Sequence, residues 1–494
     1  MSPPNKVEEV TEIVEEAPND HEGKWFTKIF RTGVLRSSEE TKFVRKLDLY
    51  LLTWGCIAYL IKSIDQSNYS NAYVSGMKED LNIVGKEYNW ISTYFNIGYA
   101  VGLVPSQVSM TRISTPYWLS SCEFIWGILT LSCAFVKSVH VLFPLRFLIG
   151  LFESSAWPGM MTIFYNYYTK KELATRAALF TGSYYAGSMF TGFMQAAIYK
   201  TLNGHGGLAG WKWLFVINGL MTVAIASVGF YIVPDSPQNG GAKWMTADDL
   251  AIANQRMFNI GRETKRQLNV KKVLKIPLDY RVWLFLLAYV PAVWTTSVAY
   301  FNLWLKSLKT DDGSLRYSVE QLNLIPIAGS AVQLVTIVTL SKLADFANAR
   351  FIVLVAENIT QLVGTIILAT RPKSIGVNYF GYFLLYAQGA NTPILISFLP
   401  EIWATAPDLR AIITGVTVVM VYANNAWLPL FLYPANEAPE YKYGYKVTCG
   451  LTGASSVGIV LFYFLAYKRS IRKMESKFDS EETLPANSST GSSR

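Results

Sequence analysis

Charge is scarce in this chain. Of its 494 residues only 16% are Asp, Glu, Lys or Arg, whereas 51% are hydrophobic. The charges are also segregated, with long apolar blocks alternating with short charged ones. That pattern excludes a soluble globule and specifies a polytopic membrane protein. Histidine is rarer still: His21, His140 and His205 form no cluster. The four cysteines, Cys56, Cys122, Cys133 and Cys449, sit inside apolar blocks without metal-ligand spacing and read as small buried side chains. The sequence has no nucleophile–base pair, metal cluster or phosphate-cradling loop, so it does not indicate an enzyme and requires no metal or cofactor. It has no pore loop or charged ring of the kind a channel needs. The net charge of +9 reflects basic loops on one side of a membrane, not nucleic acid binding.

Charge inside an apolar block is therefore informative. Pro144 to Tyr168 reads PLRFLIGLFESSAWPGMMTIFYNYY and carries Arg146 and Glu153. A charge at mid-membrane costs about 2.5–3.5 kcal/mol on insertion scales, so neither is expected to face lipid. Seven helical steps return a side chain to nearly the same face, about 10 Å further on. The two thus line one stripe facing a polar cavity; the plainer alternative is a structural ion pair joining two helices. Pro158-Gly159 predict a kink or tight-packing point. In LDLYLLTWGCIAYLIKSIDQSNYSNAY, Lys62 and Asp65 are neighbours on one face, and Gln66, Asn68 and Asn71 extend it. That is the composition of a site wall, weighed against a snorkelling lysine. Asn68-Tyr69-Ser70 matches a glycosylation sequon, but one too close to the membrane. Glu123 is expected to pack against a basic residue, with a second proton site as the alternative.

Twelve membrane helices are expected, at roughly 47–73, 88–108, 117–136, 139–166, 176–200, 211–233, 281–306, 318–341, 350–370, 376–400, 411–433 and 446–467. Residues 1–46 form an N-terminal tail, 47–233 a six-helix bundle, 234–280 a central loop, 281–467 a second six-helix bundle and 468–494 a C-terminal tail. With both tails in the cytoplasm, inner segments hold 27 lysines and arginines and outer loops 12, as the positive-inside rule requires. In the central loop, Thr246 to Asp249 resembles a capping box that starts a short helix. The loop's basic residues read as a solvated face near the membrane surface.

Helix five, RAALFTGSYYAGSMFTGFMQAAIY, sets Gly182, Gly187 and Gly192 among small residues, a face along which helices approach and slide, with Tyr184 in reach of a cavity. The second half is less charged. It offers Tyr300 and Asn302 in helix seven, Glu357, Asn358 and Gln361 in helix nine, Gln388 and Asn391 in helix ten, and Asn424 in helix eleven. Amides and aromatics of this kind suit the neutral part of a substrate, or simple helix packing.

Six plus six helices with a central loop resembles the major facilitator superfamily. Within it, IDQSN with NAYVSGMKEDLN, RFLIGLFESSAWPGM, FTGSYYAGSMFTGFMQAAIY, GGLAGWKWLFVINGL and VPDSPQN are similar to the anion:cation symporters, specifically the fungal allantoate and vitamin permeases. The NAYVSGMKEDL and GGLAGW runs look most like the pantothenate and biotin branch. Many members carry an Asp-Arg pair in helix one; here Gln66 follows Asp65, and Lys62 stands one turn earlier. The helix 2–3 signature is reduced to PSQVSMTRISTPY without an aspartate, while the helix 8–9 copy keeps Asp345 and Arg350, which the resemblance casts as an inner gate latch.

The expectation is an all-α major facilitator carrier, monomeric and multi-pass, that imports a small monocarboxylate with protons, a vitamin such as pantothenate first. Biotin, nicotinate, allantoate-like ureides and dipeptides are the alternatives. A uniporter or exporter of the same fold and a non-transporting nutrient sensor are the rivals. Lys62, Gln66, Arg146, Tyr184, Tyr300, Asn302, Gln388, Asn391 and Asn424 are candidate substrate contacts. Asp65 and Glu153 are candidate proton carriers. The resemblance implies a plasma-membrane location.

Overall fold

The computed structural model describes residues 37–259, 278–293, 296–347, 349–403 and 407–472. Helices α1 (Ser38–Leu47), α2 (Thr53–Ala72), α3 (Glu87–Arg112), α4 (Thr115–Ser132), α5 (Val139–Glu153), α6 (Ala156–Tyr167), α7 (Lys170–Leu202) and α8 (Gly210–Ile232) build the first half. Helix α9 (Ala247–Asn259) lies in the central loop. The second half comprises α10 (Tyr280–Val293), α11 (Phe301–Ser307), α12 (Val319–Phe346), α13 (Arg350–Thr370), α14 (Ile375–Tyr386), α15 (Asn391–Ser397), α16 (Pro407–Leu432) and α17 (Gly444–Leu461). They make up twelve spans in two bundles. Nine are long and apolar enough, among the described residues, to cross a membrane on those grounds alone. The spans at α3 and α7 and the interrupted tenth span fall outside that count.

Three spans are interrupted, the fourth next to the Pro158-Gly159 kink expected and the seventh and tenth where continuous helices were expected. The fourth breaks at Ser154-Ser155, a turn before Pro158. A proline ring excludes the carbonyl four residues before it and supplies no N–H, so the disruption lies N-terminal to the proline itself. The serine hydroxyls donate to the carbonyls of Leu151 (2.7 Å) and Phe152 (2.8 Å), satisfying acceptors near the break. The seventh span is split between α10 and α11, the tenth between α14 and α15. The stretch before residue 47 is not all tail: α1 is capped by Ser37, which accepts from the Glu40 amide, and it buries Phe43, Val44 and Leu47.

The expected capping box is present. Asp249 accepts from the Thr246 amide (2.9 Å) and Thr246 from the Asp249 amide (3.2 Å). Lys46 of α1 donates to Asp249 (2.6 Å), and Arg256 of α9 pairs with Glu172 and Glu40. The central-loop helix is thus fastened to the first half. Arg256 is buried rather than solvated, a correction that follows from two acids converging on it. The rest of the basic run, residues 260–277, lies outside the described residues.

Helix α3 packs on α5 and α2 on α7 within the first half; α7 meets α12 and α3 meets α16 across the halves. Gly98 and Gly150 permit the closest approach, since a Cβ at either would meet a carbonyl of the facing helix, Phe147 or Phe95. Of the helix-five glycines, Gly187 faces Leu60 of α2, Gly192 faces Asn323 of α12, and Gly182 faces open space. Buried apolar residues form one cluster shared by both halves at the face opposite the central loop. At the loop face each half has its own cluster. The two halves are therefore joined at the far face.

Candidate functional site

Lys62, Asp65, Arg146 and Glu153 come together inside the first half, none more than 4% exposed. Lys62 Nζ lies 3.8 Å from Glu153 Oε1 and donates to the Tyr99 hydroxyl at 3.1 Å. Its ammonium also sits near the rings of Tyr99 (5.0 Å) and Tyr59 (5.5 Å), where a cation is held by the ring quadrupole. Gln66 links the two helices: its amide donates to Glu153 Oε1 (2.5 Å), and its carbonyl accepts from the Tyr184 hydroxyl (2.6 Å). Asp65 accepts from Thr130 (2.9 Å) and lies within electrostatic reach of Arg146. The Arg146 guanidinium stacks 3.6 Å from the Tyr69 ring centre, with Phe95 on another side at 5.5 Å.

The spacing in sequence explains the convergence. Lys62, Asp65 and Gln66 share one stripe of α2; Arg146 and Glu153 share one stripe of α5, directly above its break. Burying four charges is costly unless they pair, and here each acid has a basic counterpart. Among the described residues, Arg146 Nε, Asp65 Oδ1, Glu153 Oε2 and both amide atoms of Asn68 have no hydrogen-bond partner. Buried polar atoms are nearly always satisfied, so the cluster holds unused capacity to bond a polar solute.

The other candidates fall elsewhere. Tyr300 stacks on Tyr433 (4.8 Å) in an aromatic group at the far face. Asn302 donates to Asn71 (3.1 Å) across the halves. Asn424 donates to the Met420 carbonyl of its own helix (2.6 Å). Asn391 accepts from Asn358 (3.1 Å) inside the second half, and Gln388 lies in the break before α15. These five do not join the four charges; short polar groups in apolar helices bond to whatever backbone or amide is adjacent. Of the gating pair, Arg350 binds Glu401 (2.5 Å), which also accepts from Tyr467 (2.7 Å). The Asp345 side chain lies outside the described residues. Glu123 is buried, and no basic residue pairs with it among the described residues, contrary to the packing partner expected.

Two residues at the site carried no warning in the sequence. Tyr99 of α3 and Tyr422 of α16 stack at 3.7 Å between ring centres and 13° between planes. This contact joins the halves directly beside Lys62. The signal available was a polar hydroxyl in runs already rich in amides, Asn96 before one and Asn424 after the other.

Two helical bundles with a buried, paired charge cluster beside their shared seam define a multi-pass membrane carrier, not an enzyme. The Major Facilitator Superfamily model matches residues 55–429, and the chain belongs to that family. It is 33% identical over 418 residues to the MFS transporter PfmaC of Pestalotiopsis fici, covering 82% of this chain and 76% of that one. It is 29% identical over 454 residues to the pantothenate transporter liz1 of Schizosaccharomyces pombe, covering 90% and 86%. Among solved structures, the proton:xylose symporter XylE superposes with a TM-score of 0.64 at 13% identity, over 85% of this chain and 96% of that one. That likeness defines the fold alone.

Proposed function

We propose that this transporter couples protons to the import of a small organic monocarboxylate, a vitamin of the pantothenate kind. The observation that supports the reading best is the buried cluster of two bases and two acids between α2 and α5. With both acids ionised its net charge is zero, and an anion gains little by entering. When Glu153 takes a proton, Lys62 loses its counter-charge and the cluster becomes +1. In a medium of low dielectric that change is worth far more than in water. A carboxylate then binds with the proton, and the loaded carrier reorients with its charges balanced. Lys62 and Arg146 hold the carboxylate in this reading; Glu153 and Asp65 exchange protons. Gln66 and Tyr184 orient Glu153. The likeness to a named pantothenate transporter over 90% of the chain favours that substrate.

The two halves, divided by the central loop, rock so that the far-face seam parts and closes in turn and the cluster is exposed alternately. The loop face, which carries α9 and the described chain ends at residues 37 and 472, is the cytoplasmic one. The membrane is the plasma membrane. Labelled pantothenate uptake in cells lacking their own carrier tests the whole reading. Uptake should fall severalfold between about pH 5 and about pH 8, and Glu153→Gln should weaken that pH response. Equal uptake at both pH values, or an unchanged response in the variant, would remove the coupling. Rescue by another carboxylate alone would reassign the substrate.

A further inference from the structure

The second half holds a buried acid that this scheme leaves idle. Glu357 stands mid-way along α13 and is 3% exposed. Among the described residues no lysine, arginine, histidine or second acid acts on it from the helices packed around it. Its Oε1 accepts from the Ala390 amide (2.7 Å), with the Asn391 amide also turned toward it, and its Oε2 has no partner among the described residues. Both amides belong to the interruption in the tenth span, between the end of α14 at Tyr386 and the start of α15 at Asn391. Gly389 lets this interruption press on α12, since a Cβ there would meet the Gln333 carbonyl. Asn358, next to Glu357, holds the Asn391 side chain. Helix α13 thus grips the broken turn with an acid and an amide.

The turn does not face inward only. Tyr185 of α7, in the first half, lies within electrostatic reach of Glu357, and Tyr289 of α10, bonded to Thr392, lies within reach of Tyr185. Glu357 therefore belongs to the wall that one half presents to the other, and rocking of the halves changes what it meets. Broken spans near the midplane are where carriers place their substrate and coupling-ion sites. An acid with no basic partner takes up a proton readily when water is withdrawn from it.

We propose that Glu357 is a second proton-binding site, so that each carboxylate is imported with two protons. The inference rests on the carboxylate-import reading above. Charge counting gives its consequence. The empty carrier has Lys62 and Arg146 against Asp65, Glu153 and Glu357, a net −1. With two protons and one monoanion bound it is neutral. The empty carrier's return moves the charge, so the cycle carries current, and an inside-negative potential drives it.

The test uses the full chain in proteoliposomes, with labelled pantothenate, a pH dye and a potassium-clamped potential. The wild type should move two protons per pantothenate and accelerate with inside-negative potential. Glu357→Gln should move one, lose its voltage response and keep pantothenate counterflow. A wild-type ratio of one, lost in Glu153→Gln and kept in Glu357→Gln, overturns this proposal and leaves the first reading standing. Pantothenate flux without any protons overturns both. Infrared pH-difference spectra of the purified carrier need no substrate. A titrating carboxylic C=O band should be present in the wild type and missing from Glu357→Gln and from Glu357→Asp at its original frequency. Identical spectra in wild type and both variants would also overturn the proposal.

Discussion

Lys62 and Glu153 are expected to cost more apart than together. Removing one member of a buried pair leaves the other uncompensated, at about 3–5 kcal/mol. Lys62→Met alone should therefore lower the unfolding midpoint in detergent sharply, and Glu153→Gln less so, since Gln66 still bonds an amide there. The double variant Lys62→Met/Glu153→Gln should recover most of the stability and none of the proton-driven uptake. A double variant no more stable than Lys62→Met would show that the pair is not mutually compensating. These charges were legible in the sequence because lipid makes an intramembrane charge expensive, which leaves few reasons to keep one. Tyr99 and Tyr422 were not legible. A tyrosine in an apolar run satisfies a core and a site equally well, and only the packing of α3 on α16 tells them apart.

Among elements, glycine marks where two helices have no room to separate. Gly150→Leu should force α3 from α5, cost about 1–3 kcal/mol by overpacking, and displace Tyr99 and Arg146 together. Gly182→Ala meets nothing within 4 Å and should be neutral or stabilising by about 0.5–1 kcal/mol, because alanine restricts the unfolded chain. Thermal unfolding of the two variants beside uptake checks both, and equal destabilisation would refute the assignment of faces. The sequence grouped these glycines as one sliding face. Their division between α2 and α12 depends on helix rotation, which spacing alone does not fix.

The latch between α1 and α9 makes a pH prediction. Burial pushes the Asp249 carboxyl up, but Lys46 and the Thr246 groups outweigh it and hold it below the ordinary carboxylate range. A depressed carboxyl contributes stability above its unfolded value of about 4, and loses it only as pH falls through the lower folded value. The stability difference between wild type and Asp249→Asn, of about 1–2 kcal/mol, should thus be constant from about pH 8 to about pH 5 and shrink below about pH 3. A difference that changes across the uptake range would make the latch, not the buried cluster, a source of the pH response.

For the whole molecule, alternation requires the far-face seam to part. Asn71→Cys with Asn302→Cys, oxidised or bridged by a short reagent, should abolish uptake, and reduction should restore it. Undiminished uptake by the bridged protein would rule out opening at this seam. The six-plus-six architecture was readable from hydropathy. The break in the fourth span was marked by Pro158-Gly159; those in the seventh and tenth were not legible, because composition averages over a break that a single turn contains.

The same seam is tied largely by neutral groups. Asn89 holds the carbonyls of Pro429 and Tyr433, Thr93 holds that of Ala426, and Asn323 holds Ser75; one ion pair, Lys306 with Glu79, stands beside them. Mobile ions weaken attraction between full charges and leave amide dipoles nearly untouched. A closure fastened this way opens at much the same rate in brine as in rainwater, so transport through it is insensitive to the salt outside.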